Sequence, residues 1–284
     1  MKTVSLPDGH TVPALGLGTW RMGESRRSRR VEVAAVRQAF ELGYRLIDTA
    51  EMYGEGGAEE VVGQALAEAL RAGDLRREDV FIVTKVYPHH ASRTGTPAAC
   101  ERSLRRLGVD TIDLYLLHWA GSHPLQETVD AFEALRDQRR IAAWGVSNFD
   151  TDDMESLWRL DQGPRCAANQ VYYSLTERGP EHDLLPWLQA RNVALMAYSP
   201  IDQGQLAGER ALQAMAARSG LTPAQVALAW CLAQRGVIAI PKAAREAHLR
   251  ENLAAAEVEL GADDIAELDR RFPPPRTKKP LAMR

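Results

Sequence analysis

Eight short apolar runs, separated by amphipathic stretches over almost the whole chain, constrain the fold more than any other feature. They are "LGLGT" (15–19), "YRLID" (44–48), "VFIVTK" (80–85), "IDLYLLH" (112–118), "IAAWGVS" (141–147), "AANQV" (167–171), "VALMAYS" (193–199) and "GVIAIPK" (236–242). Continuous apolar runs of this length are what strands covered on both faces look like. The stretches between them carry helix signals. Val62, Leu66 and Leu70 recur every four residues, and "TPAQVALAWCLAQRG" has Thr222 as N-cap, Pro223 at the first helical position, Gln225 completing a capping box and Gly236 just past the end.

Strands alternating with helices mean βαβ units and a parallel sheet. Closing that sheet into a single (β/α)8 TIM barrel spanning residues 1–284 satisfies the edges of all eight strands, and α/β barrels of this length occur as one domain. The alternative, a doubly wound open sheet, lacks its phosphate turn: "GLGTWR" offers Gly16 and Gly18, but Arg21 stands where a third glycine belongs. No P-loop pattern occurs either. Ahead of the barrel, "MKTVSLPDGHTVPAL" reads as a β-hairpin about Asp8-Gly9 and not as a signal peptide, which predicts a cytoplasmic protein.

Composition narrows the function classes. Hydrophobic residues make up 45% and charged residues 26%, and no apolar stretch approaches the ~18 residues of a membrane span. A net charge of −3 offers no bulk attraction to nucleic acid. The local exception, "RRSRR" at 26–30, precedes a helical pattern and has no interleaved aromatics, so it reads as a solvated loop and helix start. Cys100, Cys166 and Cys231 are odd in number and far apart, which predicts reduced thiols, with neither disulfides nor a zinc site. His89, His90 and His123 have no ligand spacing around them and read as exposed loop residues, so no metal is expected.

Three of the runs stop on titratable groups: Asp48, Lys85 and His118 close the second, third and fourth strands, with Tyr53 in the loop after the second. In such barrels reactive groups gather at the C-terminal strand ends, so adjacent loops bring these four together. Each alone is unremarkable, since strand-end charges are usually solvated and a single histidine often belongs to the core. Together they form an acid-catalysis set. A phenol with an ordinary pKa near ~10 becomes a better acid beside a cation, which Lys85 supplies. Asp48 would orient Lys85, and His118 would donate to a carbonyl oxygen and share in the proton transfer.

These residues stand in a wider pattern. "GLGTW", "LIDTAEMYG", "VTKV", "LYLLHW", "WGVSN", "NQVYYSL", "AYSP", "AIPKA" and "ENL" occur in order over nearly the full length, and the chain resembles the aldo-keto reductases. "GTWRMGE", "DTAEMYGEGGAE" and "LHWAGS" are most similar to a group of small bacterial members that includes NADPH-dependent reductases of methylglyoxal. The resemblance implies a catalytic tetrad at Tyr53, Lys85, Asp48 and His118, and an oxidoreductase using NADPH, or NADH, without a Rossmann domain. It implies that Ser147, Asn148 and Gln170 hold the nicotinamide carboxamide and that Tyr198 stacks under the ring. Ser199, Pro200, Ile201, Gln203, Gly204 and Leu206 then meet the pyrophosphate, and Glu251 with Asn252 the adenine. Gly18, Thr19, Trp20 and Asp48 line the cofactor near the reacting centre, and Ile240, Pro241, Lys242, Ala243 and His248 lie about the ribose and its 2′-phosphate.

Two positions depart from NADPH-using members: Ala243 replaces a serine and His248 an arginine. A histidine is mostly neutral at physiological pH, so His248 predicts an NADPH preference that fades as pH rises. Trp20, Tyr87 and Trp119, which flank the tetrad in the matching motifs, would wall the substrate pocket with His118 or else belong to the core, and the short tail "FPPPRTKKPLAMR" is expected to leave it open to small aldehydes or ketones. A monomer is expected. Two competing functions are a Schiff-base aldolase using Lys85 and a cofactor-sensing binding subunit of the same fold.

Overall fold

The first two strands pair with each other. The chain, seen in a computed structural model, is described over residues 2–284 apart from the side chains of Ala207 and Ala211. Strands β1 (Thr3–Ser5) and β2 (Thr11–Pro13) form the expected antiparallel hairpin, with Val4 opposite Val12. Gly9 makes its turn at φ 87°, a conformation only glycine adopts freely.

Eight parallel strands follow: β3 (Leu17–Gly18), β4 (Leu46–Asp48), β5 (Phe81–Val86), β6 (Ile112–Leu117), β7 (Ile141–Ser147), β8 (Ala168–Tyr172), β9 (Ala194–Tyr198) and β10 (Val237–Ala239). Each pairs with the next in chain order. The ring closes where Leu15 bridges Ala239 and Gly18 bridges Lys242. Gly16 N–H donates to the Ala239 carbonyl at 2.9 Å and Gly18 N–H to the Pro241 carbonyl at 3.1 Å. A Cβ on Gly18 would lie 2.7 Å from the Ile240 carbonyl oxygen, so the closure requires glycine there.

Helices α1 (Arg29–Leu42), α2 (Gly57–Ala72), α3 (Gly95–Leu107), α4 (Leu125–Asp137), α5 (Thr151–Trp158) and α6 (Leu184–Ala190) each follow one strand. Two pairs, α7 (Arg210–Ser219) with α8 (Pro223–Ala233) and α9 (Glu246–Ala255) with α10 (Ala262–Arg271), follow the last two. Helix α8 has the predicted reciprocal cap between Thr222 and Gln225, and every residue from Val226 to Leu232 is buried, so its middle lies within the core. Helix α5 is capped the same way by Asp150 and Asp153.

Several strand bounds differ from those expected. Tyr44 and Arg45 precede β4, and the Tyr44 hydroxyl instead donates to the Leu249 carbonyl at 2.9 Å. Strand β10 stops at Ala239 because Pro241 has no N–H for the ladder. Strand β5 runs one residue past Lys85, whereas β6 ends one residue before His118. Alternation along β5 explains the placement of Lys85. Thr84 points outward and donates to Glu59 on α2 at 2.6 Å, so Lys85 points into the barrel.

Candidate active site

Asp48 ends β4 with its carboxylate turned into the barrel mouth, and the loop beyond it brings Tyr53 back over Lys85. Lys85 is wholly buried, and its three N–H bonds are all used. Nζ donates to Asp48 Oδ2 at 2.9 Å, to the Thr49 carbonyl at 2.8 Å and to Tyr53 Oη at 3.1 Å. Gln170 on β8, 122 residues from Asp48, donates to Asp48 Oδ1 at 2.7 Å. The Asp48 carboxylate therefore has both oxygens satisfied.

His118 lies edge-on to Tyr53, with ring centroids 5.8 Å apart. Its Nδ1 is buried without a partner. Burial of the ring, with Lys85 nearby, holds its pKa well below the usual histidine value, so His118 is neutral at physiological pH. A neutral imidazole suits the hydrogen-bond donation expected of it. Leaving a lone pair and not an N–H unpaired in the dry interior places the proton on Nε2, toward the opening.

The electrostatics also revise the expectation for the phenol. Burial pushes the Tyr53 pKa above its ordinary value and outweighs the lowering by Lys85. Burial opposes the charge on Lys85, but the Asp48 carboxylate and the Tyr53 phenol together keep its pKa above the ordinary lysine value. Tyr53 thus holds its proton at neutral pH beside a fixed cation ready for the phenolate. The same geometry removes the aldolase reading. A buried ammonium with no free N–H is not an amine nucleophile.

A neutral buried His118 has a thermodynamic consequence. Its folded pKa is depressed, so its contribution to stability is present above the unfolded pKa of ~6.5 and is lost as pH falls below it, at up to about 1.4 kcal/mol per pH unit. Urea unfolding at pH 7 and pH 5 should show a smaller loss for His118→Gln than for the native protein. Equal losses would mean that the ring does accept a proton in the fold.

Trp20, Tyr87 and Trp119 rim the tetrad and do not belong to the core. Trp20 is 39% exposed with its ring centroid 4.9 Å from that of Tyr53. Trp119 lies 4.9 Å from His118 and 6.1 Å from Tyr87. Of the three histidines expected to be exposed, His89 is, His123 is only partly so, and His90 is not a free loop residue. It is half-buried, with Nδ1 3.0 Å from Glu51 Oε1, because Glu51 is buried and also accepts from Tyr87 N–H at 2.7 Å and from Arg102 at 3.2 Å. Among the described residues no group of three or more His, Cys, Asp or Glu side chains is placed to hold a metal.

A linked polar set runs across the ends of β7, β8 and β9. The Asn148 amide donates to the His118 carbonyl and to Ser147 Oγ, both at 3.1 Å, and accepts from the Tyr198 hydroxyl at 3.0 Å. Ser147 Oγ donates to the Gln170 carbonyl at 2.8 Å. Ser199, Gln203 and Gly204 take left-handed backbone angles in the loop after β9. Farther out, Lys242 is exposed, and Arg245 Nη2 donates to His248 Nε2 at 2.8 Å. The side chains of Leu206, Ile240 and Ala243 belong to the core, so these positions offer a ligand only backbone. Thr19 is spent locally, its hydroxyl donating to the Asp48 carbonyl at 3.0 Å. Glu251 accepts from the Thr222 hydroxyl, and Asn252 is buried.

The family profile described as "Aldo/keto reductase family" matches residues 14–271. The chain belongs to this family. It is 48% identical to "Methylglyoxal reductase YeaE" of Escherichia coli K12, over 99% of each chain. It is 35% identical to the "Glyoxal reductase" of Bacillus subtilis, over 94% of this chain and 91% of that one. A crystal structure of an aldo-keto reductase from Klebsiella pneumoniae in complex with NADPH superposes with a TM-score of 0.94 at 49% identity, covering 99% of each chain. This aldo/keto reductase is therefore an oxidoreductase on a (β/α)8 barrel, and the binding-subunit reading falls away.

Sequence reasoning missed the Thr49 carbonyl as a partner of Lys85 and Glu51 as the anchor of the pocket wall. Glu51 lies inside "LIDTAEMYG", so its place in that motif was the available signal. Nothing local marks the Thr49 carbonyl.

Proposed function

We propose that the protein reduces the carbonyl group of small aldehydes and α-oxoaldehydes such as methylglyoxal with NADPH, acting as a cytoplasmic monomer. The observation that carries this reading is the buried Asp48–Lys85–Tyr53 chain opening beside a neutral His118. The polar side chains at the ends of β7 to β9 suit a carboxamide, with the half-buried Tyr198 as a shelf for a flat ring. When bound there, NADPH supplies the hydride.

His118 Nε2–H donates to the substrate carbonyl oxygen and directs it toward Tyr53 Oη. Tyr53 gives its proton to that oxygen as the carbon is reduced, leaving an alcohol and a phenolate. Lys85, 3.1 Å away, stabilises the phenolate, and Asp48 keeps Lys85 charged. Tyr53 is 8% exposed, so the phenolate regains its proton from water through the open mouth. Trp20, Tyr87 and Trp119 favour a small substrate with an apolar body. Loss of absorbance at the reduced nicotinamide band, with a panel of aldehydes and both cofactors, tests the reading. No turnover of any aldehyde with NADPH or NADH refutes it.

Cofactor choice turns on Lys242, Arg245 and His248. In the contact with Arg245 the His248 ring nitrogen is the acceptor, because a guanidinium only donates. Arg245 thereby brings a permanent cation beside His248. Together with Lys242 it should favour NADPH at pH 8 as well as at pH 6. Charge-assisted hydrogen bonds contribute about 1.5–3 kcal/mol, so Arg245→Leu should lower NADPH over NADH selectivity roughly ten-fold to a hundred-fold. Dissociation constants from tryptophan fluorescence decide it, and an unchanged ratio would place the 2′-phosphate elsewhere.

A further inference from the structure

The loop after β9 follows a path that L-residues rarely take. Ser199, Asp202 and Gln203 have φ of 49°, 48° and 54°, and Gly204 follows at 88°. Left-handed non-glycine residues persist where the surroundings over-determine them. Asp202 shows what does so here. Its side chain is buried, its carboxylate accepts hydrogen bonds from the hydroxyls of Tyr172 and Thr176, and Ser174 Oγ lies 3.1 Å from each carboxylate oxygen. All three donors come from the end of β8 and the loop beyond it, so the carboxylate ties two neighbouring loops together.

The countercharge comes from far along the chain. Arg284 Nη1 lies 3.7 Å from Asp202 Oδ1, its guanidinium sits 4.8 Å over the Tyr172 ring, and its backbone N–H donates to the Tyr198 hydroxyl at 3.3 Å. Tyr172 in turn stacks on Tyr198, with centroids 5.8 Å apart and planes 14° apart. Burial, with Asp202 beside it, pushes the Tyr172 phenol up to about 12, so it remains a donor at any physiological pH.

We infer that Asp202 is a positioning residue: a buried carboxylate latch, gripped by the hydroxyls of Tyr172, Ser174 and Thr176, that holds residues 199–204 in their left-handed path and sets how fast the cofactor leaves. This rests on the proposed reading that the same loop faces the cofactor's diphosphate. With the latch closed, the loop already has its shape, Asp202 N–H donating to the Ser199 carbonyl and Gly204 N–H to the Ile201 carbonyl, so less ordering opposes binding. With the latch open, the loop relaxes toward ordinary backbone angles and the cofactor escapes sooner. In many enzymes product release and not chemistry limits turnover, and a faster exit then leaves kcat unchanged or raises it.

Asp202→Gly is the decisive variant, because glycine takes the left-handed angle without strain and has no carboxylate for the three hydroxyls to grip. Stopped-flow fluorescence should show NADPH leaving at least ten-fold faster, with KM for NADPH raised, KM for the aldehyde within two-fold of native and kcat not reduced. The Tyr172→Phe, Thr176→Val double variant should move release in the same direction. A general loss of structure would instead lower kcat and raise both Michaelis constants. Gln203→Glu tests the underlying reading separately, since a carboxylate at this exposed position should weaken NADPH at least five-fold by repelling the diphosphate. If Asp202→Gly releases NADPH within two-fold of the native rate while Gln203→Glu weakens binding, the latch is wrong and the loop reading stands. If Gln203→Glu binds NADPH like the native protein, the loop reading fails and the latch falls with it.

Discussion

Tyr53→Phe is expected to lower kcat for aldehyde reduction by about 10² to 10⁴-fold, roughly 3–5 kcal/mol of barrier, while NADPH affinity stays near native. The phenol is the only acidic O–H among the four tetrad side chains, and it touches the mouth, whereas Lys85 is sealed beneath it with every N–H committed. Its ring also packs edge-on against Trp20, a contact that phenylalanine keeps. The variant should therefore fold and bind cofactor but lack the proton. Single-turnover measurements with saturating NADPH separate the two effects. Near-native kcat in Tyr53→Phe would move the proton donor to another group.

Lys85→Met should have the largest effect on the fold itself. Removing one partner of a buried ion pair leaves the other charge uncompensated, at a cost of about 3–5 kcal/mol. Asp48 keeps only its bond from Gln170 in that case. Urea unfolding of Lys85→Met and of the Asp48→Asn, Lys85→Met double variant tests this: the double variant should recover part of the loss, because no lone carboxylate remains. A loss below about 1 kcal/mol in the single variant would mean that Asp48 is already neutral. The chemistry should shift as well. Without the cation the phenolate is less favoured and the Tyr53 pKa rises further, so the pH at which the reverse oxidation of an alcohol sets in should move upward. An unmoved profile in an active variant would remove Lys85 from the proton step.

Thr222, Pro223 and Gln225 announced α8 because a helix cap is made between residues three apart, and the structure has that cap. The β3–β10 order was legible from alternation, since a parallel strand buried on both faces has no polar side to show. The bounds of β10 were less so, because the run "GVIAIPK" stays apolar past the point where Pro241 breaks the ladder. His248 and Arg245 stand three residues apart in the sequence, but only the structure places Arg245 Nη2 2.8 Å from His248 Nε2.

The sequence by itself determined that strands and helices alternate into a closed barrel and that Asp48, Tyr53, Lys85 and His118 meet at its mouth. These follow from local periodicity and from the rule that strand ends converge. Only the tertiary structure decided which way the balance of forces fell there. Burial and long-range partners fix it, and neither is written in a local pattern: Gln170 reaches Asp48 across 122 residues, and Asp202 finds Arg284 at the far end of the chain. The Tyr53 phenol is accordingly held protonated because removing its charge from water outweighs the attraction of Lys85, and His118 is neutral because burial and the Lys85 cation both oppose a charge on the ring.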